Sequence, residues 1–356
     1  LDYKLFQKKE EMDMYFFMND YSEGAHPQVM KALLETNMKQ TVGYGLDDFC
    51  SAAAQLIRQK TGAPQAAIHF FVGGTQANLT SLSAWLRPHQ AVIAAKTGHI
   101  FVHETGAIEA TGHKILTADT PDGKLTPALI LPLLNQHQDE HMVQPKIVFI
   151  SNATEVGTIY KLQELKDLYE FCQQHNLWLY LDGARLGTAL TGRGNDVRIE
   201  DLSKVTDAFY IGGTKNGALF GEALVIVNPI LQEDFRYMIK QKGGLLAKGR
   251  LLGVQYLALI QDELFFRIAA HANAMAERLQ NGLKQLGFDF LNESATNQIF
   301  PIVSNQLLEQ LRDIARFEVW GPHNETHSVI RFVTSWATEE AAVEEFLEIV
   351  KGLSKE

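Results

Sequence analysis

Six short runs of almost unbroken apolar residues mark the middle of the chain: "AAIHFFV" (66–72), "AVIAA" (91–95), "KIVFIS" (146–151), "LWLYLD" (177–182), "DAFYI" (207–211) and "ALVIV" (223–227). Runs of that length without polar alternation predict strands covered on both faces. The segments between them carry helical spacing. In "LQELKDLYEFCQQHN" (162–176), Leu162, Leu165, Leu168, Tyr169 and Cys172 fall on one face. Strands alternating with amphipathic helices predict a large α/β domain with a mostly parallel sheet, here placed at residues 46–240.

Beyond residue 240 the pattern changes. One long helical stretch is expected over 249–287, ended by Gly287 in the position after the C-cap. Short strands follow in "FDFL", "NQIFPIV", "FEVW" and "SVIRFVTS". Residues 241–356 therefore read as a connecting helix plus a smaller α+β domain. Residues 1–45 fit neither pattern and read as an arm with one helix starting at Pro27. Internal repeats and low-complexity segments are not apparent.

Composition narrows the classes. Lys plus Arg total 32 against 42 Asp plus Glu, a net charge of −10, which argues against general binding to nucleic acid or anionic membranes. The two cysteines, Cys50 and Cys172, fall in expected helices, so a disulfide framework is not expected and a reducing compartment fits. The chain has no apolar run of the roughly 20 residues that span a bilayer. Its start, "LDYKLFQKKEEMDMYFF", lacks a leader's apolar core. A soluble, cytoplasmic protein is the expectation.

Candidate chemistry gathers at the carboxyl ends of the expected strands, the edge where open α/β sheets bind ligands. "GGTQANLTSL" joins a strand to a helix through two glycines, and its free amides either cradle a phosphate or open an ordinary capped helix. Asp182, closing an apolar strand, needs a partner. Either Arg185 supplies a structural ion pair, or Asp182 faces a cationic ring nitrogen and leaves Arg185 for an anionic substrate. Lys215 stands among Gly212, Gly213, Gly217 and Gly221. It is either a strand-end lysine reaching solvent or a desolvated amine of the Schiff-base kind. His99 could stack on a planar ring or satisfy its own loop, and Arg331, mid-strand among apolar neighbours, calls for an anionic partner.

In this order, the motifs resemble the fold-type I enzymes of pyridoxal 5′-phosphate. More narrowly they resemble the threonine aldolase and β-eliminating lyase family, above all its bacterial low-specificity L-threonine aldolase branch. "YGLDD" (44–48), "GGTQAN", "GHIF", "NATEVGTIY" (152–160), "TKNG" and "IRFVTSWAT" (330–338) carry the likeness over most of the chain.

The resemblance implies a PLP-dependent transferase-like fold and retro-aldol cleavage of a β-hydroxy-α-amino acid to glycine and an aldehyde. The alternative on the same scaffold is β-elimination. It implies that Lys215 joins the cofactor covalently, Asp182 meets the pyridine nitrogen and His99 stacks on the ring. The backbone of Gly74, Thr75 and Gln76 would hold the phosphate, with Tyr44 and Lys248 added, across a subunit boundary. Arg185 and Arg331 would grip the substrate carboxylate, helped by Asn19, which replaces the serine of the family's "RSDT". Thr154 stands where another branch has a histidine, which leaves His99, His103 or a phosphate-bound water as the base. No metal is implied. A homo-oligomer is, as a dimer or a tetramer built from two dimers, with the N-terminal arm and "GGLLA" (243–247) as contact regions. A Rossmann-type nucleotide binder explains neither Lys215 nor the glycine spacing. A silent scaffold would not need the lysine, aspartate and arginines together.

Overall fold

The computed structural model describes residues 14–354. The first thirteen residues of the expected arm, and with them most of the stretch read for a leader, lie outside the described residues.

The arm contributes β1 (Tyr15–Phe16) and is followed by α1 (Pro27–Thr36) and α2 (Asp48–Thr61). The main sheet then builds from β2 (Ala67–Phe71), α3 (Gly74–Trp85), β3 (Gln90–Ala95), α4 (His99–Val102) and β4 (Ile115–Ala118). β5 (Gln144–Ser151), β6 (Trp178–Asp182), β7 (Ala208–Gly212) and β8 (Glu222–Ile226) complete it. The strand order is β2-β8-β7-β6-β5-β3-β4. All neighbours run parallel except β8, which is antiparallel to both β2 and β7.

All six expected strands form. β4 is a seventh that the pattern did not reveal. It is four residues long on the sheet's edge, so it lacks the long two-sided apolar run that identified the others.

The apolar runs are continuous because successive side chains enter two different cores. Ile93, Val148, Leu179, Leu181, Phe209 and Ile211 point to one face. Val92, Phe149, Tyr180, Tyr210, Leu224 and Ile226 point to the other. This is the period-two geometry of a strand with helices above and below.

The C-terminal strands are β9 (Gln298–Ile299), β10 (Ile302–Ser304), β11 (Ala315–Arg316), β12 (Glu318–Pro322) and β13 (His327–Val333). β13 is the hub, antiparallel to β10, β12 and β9. "FDFL" makes only a single bridge, Phe290 to Pro301, and is not a full strand. β1 pairs with β11, so the arm crosses to this region, where Phe17 meets Phe332 and Phe346 edge-on.

The expected single helix over 249–287 is two helices, Arg250–Ile260 and Leu264–Gln285. Asp262 (φ 55°) and Glu263 (φ 58°) adopt left-handed backbone at the break. The apolar rhythm hid it. Tyr256, Leu259 and Ile260 before the turn enter the same core as Leu264, Phe265 and Ile268 after it. Gly287 does follow the C-cap, at φ 89°.

Candidate active site

Asp182 ends β6 and is 3 % exposed. Its Oδ1 accepts the Ala184 amide (2.9 Å) and the Tyr210 hydroxyl, while Oδ2 accepts Asn78 Nδ2 (3.2 Å). These bonds bring three elements to one carboxyl: the turn after β6, the strand β7, and the second turn of α3. Arg185 does not pair with it. The guanidinium turns to the arm, where Nε and Nη2 meet both carboxyl oxygens of Asp20 at 2.7 and 3.1 Å. The structural ion pair that spacing suggested for Asp182 is thus absent, and a residue 165 positions away takes its place.

Sequence reasoning missed Asp20. The signal was there, an acid next to Asn19 in the arm motif, but nothing local pointed it at Arg185. Asp20 is 1 % exposed and also accepts Asn297 Nδ2 at 2.9 Å. Burial opposes its charge. Arg185, Lys215 and the hydrogen bonds outweigh that, so its carboxyl is held below the ordinary range. Asn19 uses its Oδ1 locally, accepting the Tyr21 amide and the Ser22 hydroxyl, while no hydrogen bond engages its Nδ2 donor among the described residues.

Lys215 sits in the loop between β7 and β8. Its Nζ has no hydrogen bond or ion pair among the described residues and lies 6.0 Å from the centre of the Tyr21 ring. Burial first, and then the charge of Arg185, push its pKa down, against the pull of Asp20, Asp182 and Glu222. The amine is therefore easier to deprotonate than a surface lysine.

α3 begins at Gly74 with no side-chain cap and no acid in its first turn. A side chain at Gly73 would meet open space, whereas a Cβ on Gly74 would stand 3.0 Å from the Tyr210 hydroxyl. That hydroxyl is the one bonded to Asp182, so the helix start and Asp182 are one side chain apart. Thr75 is exposed, and Gln76 turns its side chain to the Lys242 carbonyl (3.3 Å), leaving the first amides free of side-chain caps.

His99 opens α4. Its Nδ1 lies 2.9 Å from Glu104 Oε1, an oxygen that also accepts Asn78 Nδ2 at 2.8 Å. His99 and Asp182 are thereby linked through Glu104 and Asn78. Glu155 accepts the His99 amide (3.0 Å) and the Ser151 hydroxyl (2.7 Å), and its own burial raises its pKa. His103, with its ring 5.5 Å from that of His99, is shifted toward its neutral form by partial burial and then by His99. Arg331 pairs through Nη2 with Glu318 and through Nη1 with Gln298 (3.3 Å), while its Nε is buried without a partner.

Lys215, Asp182, Arg185 and Asp20 thus share one cluster, its two acids buried and its two bases half-buried, with His99, His103 and Arg331 around it. Tyr44 and Lys248 stand apart, exposed, on two loops joined by the Tyr44 amide and the Ala247 carbonyl (3.3 Å). Neither shares a hydrogen bond with Asp182, Lys215 or His99 among the described residues. Tyr44 lines a separate cleft with Asp47, Arg58 and Arg236.

A parallel sheet with one reversed strand, an uncapped helix at its carboxyl edge, and a lysine and a buried aspartate on the adjoining loops define fold type I. An aspartate aminotransferase of Thermus thermophilus shares this fold at 14 % identity, with a TM-score of 0.72 over 96 % of this chain and 92 % of that one. The profile of the beta-eliminating lyases matches residues 18–306. The low-specificity L-threonine aldolase of Pseudomonas sp. (strain NCIMB 10558) is 34 % identical over 95 % of this chain and 97 % of its own. A threonine aldolase structure from Leishmania major is 48 % identical, with a TM-score of 0.94 over 96 % of this chain and 99 % of its own. The chain belongs to the threonine aldolase and beta-eliminating lyase family.

Proposed function

We propose that this protein is a pyridoxal 5′-phosphate-dependent carbon–carbon lyase that cleaves L-threonine, L-allo-threonine and related β-hydroxy-α-amino acids to glycine and an aldehyde. One observation carries the reading: an unpaired, half-buried lysine shares its cluster with a buried carboxyl that lies one side chain from an uncapped helix start. The residues fit the cofactor. The free amides of Gly74, Thr75 and Gln76 suit a phosphate, Asp182 suits a protonated ring nitrogen, His99 suits a ring face, and the Lys215 amine suits an aldehyde.

The cofactor, when bound, supplies an electron sink for the bond being broken. The protein supplies the rest. Arg185 is aligned by Asp20 on two of its nitrogens, and its Nη1 has no partner among the described residues. Arg331, held by Glu318 and Gln298, has its pKa lowered by burial and then by the nearby Arg185, so the two can bind the substrate's carboxylate together. The Glu104 contact fixes the orientation of the His99 ring. His103, held toward its neutral form, can accept the proton of the substrate's β-hydroxyl. Glu318 and Asp20 balance the two arginines and keep the substrate side from becoming strongly cationic.

A multi-subunit enzyme completes the reading, with a tetramer of two dimers as its form. Leu34, Met38 (89 % exposed), Val42 and Leu46 are exposed apolar residues on the stretch that leads from α1 to α2. Tyr44 and Lys248 lie beside it. That placement supports their service to a neighbouring copy's phosphate, since their own chain's cluster does not engage them. A cytoplasmic setting is part of the same proposal, in keeping with two buried, unpaired cysteines. Among the described residues, no helix is long and apolar enough to cross a membrane.

The deciding experiment offers L-threonine, L-allo-threonine and L-serine to the purified enzyme and identifies the products. Glycine with acetaldehyde is expected; a 2-keto acid with ammonia would select the eliminating lyase instead. Lys215→Ala should lose the visible absorption of bound cofactor and essentially all turnover. His103→Asn should keep the absorption and lower kcat by about 100-fold or more.

A further inference from the structure

Glu222, the first residue of β8, carries a carboxyl that is 4 % exposed and takes no part in the chemistry above. It stands at the neck of the lysine loop. Residues 213–221 leave β7 and return to β8 through a closed set of backbone bonds. The amides of Gly213 and Thr214 both reach the Gly221 carbonyl, at 2.9 and 3.1 Å. Thr214 Oγ1 in turn accepts the Gly221 amide at 3.0 Å. Glu222 closes the neck from beneath. Its Oε1 accepts the Thr214 hydroxyl at 2.8 Å, and its Oε2 accepts the Gly213 amide at 3.2 Å. Both bonds hold the two residues directly before Lys215.

A neutral side chain could satisfy those donors, so an acid at a site this deep asks for a second reason. The surroundings supply it. Lys215 on the loop and Asp182 on β6 act on Glu222, and Glu222 in turn raises the pKa of three buried tyrosines: Tyr180 on β6, Tyr210 on β7 and Tyr256 on the helix Arg250–Ile260. Arg185, Asp20 and Asp182 act on Lys215 alongside it. Lys215 is the cation whose charge, among the described residues, most favours an ionised Glu222.

We propose that Glu222 is a positioning residue for Lys215, its carboxyl clamping the neck of the lysine loop through the two residues before the lysine, so that its own ionisation is felt at the lysine end. This inference rests on the functional reading of Lys215. Burial pushes the Glu222 carboxyl up to about 8, with the Thr214 hydrogen bond and the lysine's charge pulling the other way. Near neutral pH the acid is therefore largely protonated. It becomes an anion facing the lysine loop only as the solution turns mildly alkaline.

The test is the visible absorption of substrate-free holoenzyme from pH 6 to 10. The wild type is expected to show a spectral change centred near about 8. Glu222→Gln, which keeps an acceptor for Thr214 or Gly213, should retain the cofactor and lose that change. Thr214→Val removes a donor that holds the acid's pKa down, so it should move the midpoint to higher pH. A Glu222→Gln protein that binds cofactor and titrates like the wild type overturns the proposal. If that variant does not fold or does not hold cofactor, an unmoved midpoint in Thr214→Val overturns it. A wild type with no visible band at any pH removes the functional reading and this inference together; a band with unaltered titration in the variants removes this inference alone.

Discussion

The pairing of Asp20 with Arg185 gives the arm its purpose. Both partners are nearly inaccessible, one at 1 % and the other at 11 % side-chain exposure, and their two hydrogen bonds fix the guanidinium plane. Removing one charge leaves the other buried without a partner, which costs far more than the pair itself gains. Asp20→Asn should therefore lose about 3 kcal/mol of stability in urea unfolding at neutral pH. It should also raise KM for the amino acid more than it lowers kcat. The sign with pH follows from the depressed pKa. An ionised Asp20 stabilises the fold above the ordinary carboxylate range and stops doing so as pH falls through its own, lower value. The difference between wild type and variant should shrink steadily in acid. A gap that stays constant down to low pH would contradict the assignment. Burial acts oppositely on Glu222, whose raised pKa should make stability fall as pH rises between its unfolded value and about 8.

Among the elements, the turn after β6 is the most constrained. Gly183 follows Asp182, and a Cβ there would stand 1.8 Å from the Tyr210 carbonyl oxygen of β7. The Gly183 carbonyl meanwhile accepts the Gly212 amide at 2.9 Å, so the turn cannot back away without breaking that bond. Gly183→Ala should destabilise the protein by about 3 kcal/mol or more and abolish cofactor binding, read by thermal unfolding and by visible absorption. Normal cofactor uptake in that variant would show that the β6–β7 contact does not set the position of Asp182. The "DGAR" motif thus encodes close strand approach through its glycine, beside whatever its aspartate and arginine do in the proposed chemistry.

At the scale of the molecule, Leu34, Met38, Val42 and Leu46 expose four large apolar side chains within a short stretch of chain, a density that suits a contact surface. A double change, Leu34→Asp with Met38→Asp, places two like charges in the proposed subunit contact. It should reduce the mass seen by light scattering and lower cofactor affinity, because Tyr44 and Lys248 would no longer reach a partner. An unchanged mass would move the interface elsewhere. The two helices Arg250–Ile260 and Leu264–Gln285 join the scales. The first lies in the core beneath the lysine loop, and the second reaches the small sheet that holds Arg331. Placement of Arg331 relative to the lysine loop therefore depends on the turn at Asp262 and Glu263 between the two helices.

What the sequence determined by itself was whatever depends on near neighbours along the chain. Six strands were legible because two-sided burial demands unbroken apolar runs. The turn at "GGTQAN", the lone lysine among glycines and the acid at the end of β6 were legible because each is odd in its local setting. Tertiary structure alone decided partnership. Asp20 reaches Arg185 across 165 residues, Asn78 reaches Asp182 across 104, and Glu222 closes a neck whose ends meet only after β7 and β8 pair. The break at 261–263 was hidden for a related reason, since both helices feed one core and the rhythm runs on across it. Periodicity reports which way a side chain faces; only the folded chain, by excluding water and bringing distant segments together, settles which charge it must answer.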